Sequence, residues 1–168
     1  IYKSYGLNHV RFHSWCPPEA AFTAADRIGI YIQAEVLWID WWMSVVRKER
    51  PEMTTRGLPK GLGHNPSADK FVPEELQRMI EAYGNHPSFT MLCIGNELGN
   101  SNFDIMQQWI KSLQEKDPRR LYAISTARKI MPADQYMVTH NIPQTGGTYG
   151  INGSGTDNDR ESIYSKAT

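Results

Sequence analysis

Residues 89–97, FTMLCIGNE, run apolar and then stop at Gly95, Asn96 and Glu97. A carboxylate at the end of a buried strand stands where a site could use it to give or take a proton. The plainer reading is a carboxylate at the start of the next helix, stabilised by the helix dipole. Two further groups bear on the choice. Arg11, in NHVRFH, is a cation able to hold a carboxylate, and Glu35 closes the run IYIQAE. A carboxyl that must hold its proton near neutral pH is helped by burial and by a second carboxyl nearby, so strand-end acids invite acid–base chemistry. His9 and His13 share a strand face and raise a metal-dependent alternative. Four residues of strand, however, span roughly 13 Å, whereas Zn–N bonds are only about 2.0–2.1 Å.

Regular elements must carry these residues. In LNHVRFHSW, Val10 and Phe12 fall on one face and Arg11 and His13 on the other, the period of a strand. PPEAAFTAADRIG follows as a helix, with Pro18 in its first turn and Gly29 as its stop. IYIQAEV is the next strand, with Ile30, Ile32 and Ala34 on one face and Tyr31, Gln33 and Glu35 on the other. PEELQRMIEAYG carries Leu76, Met79, Ile80 and Tyr83 at helical spacing, and Gly84 and Pro87 close it. After the strand that ends at Glu97 comes a helix with Ile105, Trp109, Ile110 and Leu113 on a stripe, ended by Pro118. LYAISTAR and QYMVTHNI read as two more strands, joined by KIMPADQ. The N-terminal IYKSYG reads as the end of a helix.

Alternation of strands and helices means a parallel sheet. Its polar faces argue against an open doubly wound sheet, whose strands are apolar on both sides. They suit a barrel whose interior carries functional side chains toward the C-terminal mouth. The fold expected is therefore α/β, a partial (β/α)8 TIM barrel over residues 1–142. It carries a long insert at 37–72 that exceeds an ordinary connection, followed by a loop-rich tail over 143–168.

Bulk composition narrows the partners. With 168 residues, 40% hydrophobic and 21% charged, the chain can bury one globular core. Net charge is zero, so nothing points to nucleic acid or an anionic membrane. No apolar run approaches the roughly 20 residues of a membrane helix. Cys16 and Cys93 lack zinc or redox spacing and read as buried free thiols. No signal-peptide pattern or initiator Met opens the chain, which reads as part of something longer.

GLNHVRFHSWCPPEAAFTAADRIGIYIQAEV, followed by NHPSFTMLCIGNEL, resembles the catalytic barrel of glycoside hydrolase family 2, which includes β-galactosidases, β-glucuronidases and β-mannosidases. The likeness covers residues 5–36 and 84–98, and implies that the strands present are numbers 2 to 6 of the barrel. It implies a retaining hydrolysis of β-linked glycosides with a carbohydrate substrate; no metal-ligand set and no cofactor are expected from the residues. Glu97 would be the general acid/base, Asn96 the side chain that binds the sugar 2-hydroxyl, and Arg11 the arginine that holds the nucleophilic carboxylate. His13 resembles the family's strand-2 histidine, three residues after Val10 where the family has four. Glu35 matches an acid closing strand 3. Trp15 and Trp38, with Trp41 and Trp42, could stack on sugar faces or simply pack in loops, and His140 and Asn141 end the sixth strand, where they could line the cleft.

The family's nucleophile closes strand 7, and this chain is expected to stop after strand 6, since a full barrel takes about 250 residues. Glu35 sits on a strand beside that of Glu97, about 4.8 Å away. The family places the attacking group across the mouth instead, so Glu35 is given a supporting role near the substrate, holding a side chain or a cation. The chain alone is expected to be inactive and prone to self-associate through open barrel edges. A non-catalytic carbohydrate-binding relative remains the alternative, with the metal-dependent hydrolase behind it. The resemblance alone favours a periplasmic or secreted setting.

Overall fold

The computed structural model describes residues 1–36, 61–98, 101–126 and 129–136. A 3-10 turn over Tyr2–Tyr5 leads into β1 (His9–Arg11). Then come α1 (Glu19–Ile28), β2 (Tyr31–Glu35), α2 (Pro66–Tyr83), β3 (Phe89–Asn96), α3 (Phe103–Lys116) and β4 (Leu121–Thr126). The strands form a parallel sheet in the order β1-β2-β3-β4. Sequence order and spatial order coincide, as in a stretch of (β/α)8 barrel wall.

Each face of the sheet has its own packing. Ile32, Ala34, Leu92, Ile94, Tyr122 and Ile124 are fully or almost fully buried against the helices. There they meet Phe22 of α1, Val72 and Leu76 of α2, and Met106 and Ile110 of α3. Val10 and Phe12 join this layer, as their alternation with Arg11 requires. Phe22 stacks on Tyr83 at 4.7 Å between ring centroids and lies 5.2 Å from Phe89, which clamps α1 to α2 and to the start of β3. The opposite face buries Cys93, Ala123 and Tyr136, with Met91 and Leu121 beside them.

Polar clasps fix the N-terminal ends of the strands. Asp26 near the end of α1 accepts from the Ser88 amide at 2.9 Å and lies 2.6 Å from His86 Nδ1. His86 thus orients the turn into β3. Arg120, almost wholly buried, donates to the Gly84 carbonyl and pairs with Asp117, and its guanidinium covers the Phe89 ring at 4.5 Å.

Three boundaries differ from the sequence reading. The strand placed over LNHVRFHSW is regular only over His9–Arg11, because the chain turns at His13–Ser14. Helix α2 starts at Pro66, so it takes in residues assigned to the long insert, and Pro73 lies inside it rather than opening it. The stronger start signal is Asn65-Pro66, an N-cap followed by Pro at N1. Asp69 reinforces it by accepting from the Gly63 and Asn65 amides. Finally, Gln135 and Tyr136, read as the start of a strand, form a bend. The rest of QYMVTHNI, the tail from residue 143 and most of the insert lie outside the described residues.

Candidate active site

The C-terminal ends of β1, β2 and β3 bring Arg11, Glu35 and Asn96 together. Glu35 is the last residue of β2, and its side chain is completely buried. Three donors satisfy its carboxylate: Arg11 Nε at 2.5 Å, Ser14 Oγ at 2.7 Å and Gln33 Nε2 at 3.0 Å. Gln33 reaches it because residues two apart on a strand share a face. Ser14 reaches it because the chain turns back after β1, and the Glu35 amide closes that turn by donating to the Trp15 carbonyl at 3.3 Å. A buried charge is tolerable only when paired and hydrogen-bonded in this way.

Arg11 spans two partners. Its Nε serves Glu35, and its Nη2 donates to Asn96 Oδ1 at 3.0 Å. Asn96 closes β3 and is 4% exposed. Arginine has donors only, so the oxygen end of the Asn96 amide must face it. The resemblance assigned Arg11 to a nucleophilic carboxylate; in this structure the carboxylate that its Nε reaches is that of Glu35.

Glu97 follows directly, half-buried, with a backbone φ of 51°. That is the left-handed region, which a residue with a Cβ enters at a cost of about 1–2 kcal/mol. Both neighbours hold it there. Asn96 is tied to Arg11, and buried Leu98 donates its amide to Ser125 Oγ on β4 at 3.0 Å. The left-handed backbone at Glu97 ends the period-two alternation of β3.

Beneath these groups, burial pushes the Cys93 thiol well above its usual range, with the Glu35 charge adding to the effect and Arg11 opposing it. Burial also raises the Tyr136 hydroxyl, with Cys93 and Glu35 contributing. The His9 imidazole is pushed down by burial. Among the described residues, no group of three or more His, Cys, Asp or Glu is placed to hold a metal ion.

His13 lies exposed in the turn after β1. Trp15, 39% exposed, packs edge-on against Phe12 at 5.1 Å, which leaves part of its ring at the surface beside the site. Trp38, His140 and Asn141 lie outside the described residues. The sequence reading gave no role to Ser14, Gln33 or Ser125. Only Gln33 carried a signal, as the residue two before Glu35 on its face.

The family model described as glycosyl hydrolases family 2, TIM barrel domain, matches residues 1–143. A β-galactosidase from Leuconostoc mesenteroides subsp. mesenteroides is 27% identical over 120 residues, which are 69% of this chain and 10% of that protein. The chain therefore spans about a tenth of that relative's length. Among solved structures, a Parabacteroides merdae β-glucuronidase superposes with a TM-score of 0.56 at 20% identity, over 82% of this chain and 15% of that one. Bacteroides uniformis β-glucuronidase 3 gives 0.58 at 19% identity, over 83% and 17%. At these identities the superpositions speak to the fold, a TIM barrel wall.

Proposed function

The chain belongs to glycosyl hydrolase family 2, whose TIM barrel domain accounts for residues 1–143, and from that premise we propose that it supplies the acid/base half of a retaining β-glycosidase site. Glu97 is the acid/base. It protonates the glycosidic oxygen as the bond to the anomeric carbon breaks and a second carboxylate attacks that carbon. It then takes a proton from the water that releases the sugar. Asn96 donates to the sugar 2-hydroxyl, a contact that tightens in the oxocarbenium-like transition state.

The single observation that carries this reading is the left-handed φ of 51° at Glu97. Strained non-glycine backbone, held on both sides by buried partners, clusters at functional sites. A carboxylate kept at that cost, directly after a buried Asn, is more than a helix-start anion. The attacking carboxylate is not Glu35, which is fully buried with three donors already on it. We assign it to a residue beyond those described. The substrate class is a β-linked pyranoside. The galactosidase and glucuronidase named above make β-galactosides and β-glucuronides the first two to try.

The test is Glu97→Gln in the full-length enzyme, read on glycosides whose leaving groups differ in basicity. A lost general acid costs about 10²–10⁴-fold. The loss is expected to be large for alkyl leaving groups and small for dinitrophenyl, which departs without a proton. An equal loss across the series would remove Glu97 from the acid role. The anomer first released, followed by NMR, reports retention or inversion.

A further inference from the structure

We infer that Glu35 is a positioning residue: through Arg11 it fixes which end of the Asn96 amide faces the substrate. The inference rests on the reading of Asn96 given above.

The fold has little use for Glu35 as a stabiliser. Burying an ion pair between strands is often no better than packing apolar side chains in its place. Yet the side chain is wholly inaccessible, and three donors from two segments converge on its carboxylate. What this arrangement does provide is a fixed guanidinium. Nε is committed to Glu35, so the plane of the Arg11 side chain cannot turn without losing that bond. Nη2 is then delivered to Asn96 Oδ1 at 3.0 Å. Because Arg11 can only donate, it accepts no rotamer of Asn96 that turns the NH₂ group toward it. The amide therefore presents its donor end away from Arg11, the polarity needed to donate to a hydroxyl oxygen of a sugar.

If Glu35 were a substrate ligand, its carboxylate would need access to the cleft, and it has none. If it served only to neutralise Arg11, its removal would affect every substrate alike. The positioning role predicts a selective effect, confined to substrates that carry the hydroxyl Asn96 addresses. It also predicts a loss in kcat more than in KM, because the contact is made most strongly in the transition state.

The experiment uses the full-length enzyme and two aryl β-glycosides of the same sugar, one complete and one 2-deoxy. Asn96→Ala, Glu35→Gln and Ser14→Ala are compared with the parent, and thermal melts establish folding. Glu35→Gln keeps the shape while removing the charge that anchors Arg11, and Ser14→Ala removes one donor should the first variant not fold. Misplacement of a group next to the reacting centre costs up to about a hundredfold. We expect Glu35→Gln to lower kcat about tenfold or more on the complete glycoside, and Ser14→Ala to lower it less. Both losses should nearly vanish on the 2-deoxy glycoside, as should that of Asn96→Ala. If Asn96→Ala is hydroxyl-selective while Glu35→Gln and Ser14→Ala depress both substrates equally, the positioning role is overturned and the reading of Asn96 stands. If Asn96→Ala itself hits both substrates equally, the reading of Asn96 fails, and the inference with it.

Discussion

Arg11 on β1 and Asn96 at the end of β3 meet across the intervening strand: Arg11 Nη2 lies 3.0 Å from Asn96 Oδ1, although 85 positions separate them in sequence. Two strand spacings amount to about 10 Å, which only a long side chain bridges. The one that does so also neutralises Glu35 on the strand it crosses. The parallel order β1-β2-β3 is thus read out chemically at the strand ends, where three side chains from three strands act as one unit.

That unit sets a first expectation for stability. Arg11→Ala removes the cation from the wholly buried Glu35 carboxylate, and breaking a buried pair in this way costs about 3–5 kcal/mol. Arg11→Lys keeps the charge but cannot reach both partners with a planar fork, so its cost should be smaller yet clear. Urea unfolding of the two variants measures both. A cost for Arg11→Ala no larger than that of an ordinary surface substitution would show that Glu35 is not left as an unpaired buried charge.

Asp117 gives the fold an acid sensitivity of defined sign. Hydrogen bonding from the Arg119 guanidinium, with the Arg120 charge behind it, holds its carboxyl down to about 2. An unfolded chain has it near 3.9. The ionised form therefore favours the folded state. The stabilisation is complete above about pH 4 and is lost as the pH falls through the folded value of about 2. Comparing acid unfolding of Asp117→Asn with the parent checks this. The variant should be less stable at neutral pH and should lose less between pH 4 and 2, so parallel curves would contradict it.

Val10 and Phe12 against Arg11, and Ile32 and Ala34 against Gln33 and Glu35, showed both faces of the sheet, because a period of two is imposed by strand geometry itself. The motif residues Asn96 and Glu97 were legible as a strand end. The convergence on Glu35 was not: the donors Arg11 and Ser14 lie 24 and 21 positions away, and no local signal records a bond across a turn. The left-handed backbone at Glu97 was equally hidden, since only Gly or Asn would have announced it. The start of α2 was misplaced for a different reason. Pro73 suits a first turn, but the N-cap at Asn65 and Pro66 outweighed it.

Gly63 is a position where the backbone itself is demanding. Its φ is +83°, and a Cβ placed there would lie 2.5 Å from Asn102 Cβ. Asn102 is the N-cap of α3, accepting from the Asp104 and Ile105 amides, and its own amide donates to the Leu62 carbonyl. Gly63→Ala therefore adds left-handed strain of about 1–2 kcal/mol and pushes on a cap worth about 1 kcal/mol. A denaturant midpoint unchanged from the parent would mean that the loop can move aside without cost.

The edges of the sheet decide how these 168 residues behave alone. On β4 the outward backbone is already covered: the Tyr122 amide donates to Gln135 Oε1, the Ile124 amide to Asp134 Oδ1, and the Tyr122 carbonyl accepts from the Gln135 amide. On β1 the even-numbered residues face β2, since the Asn8 carbonyl accepts from Tyr31 and the Phe12 amide donates to Gln33. The His9 backbone therefore points away from β2, on the side of β1 where no other strand lies among the described residues. Edge strands of this kind pair with further strands. The isolated chain is expected to self-associate through β1 and to turn over no aryl glycoside. His9→Pro, which removes one outward amide and leaves the β1–β2 ladder intact, should weaken the association. Sedimentation velocity over a concentration series measures it. A monomer at every concentration, or turnover abolished by Glu97→Gln, would contradict one half of the expectation or the other.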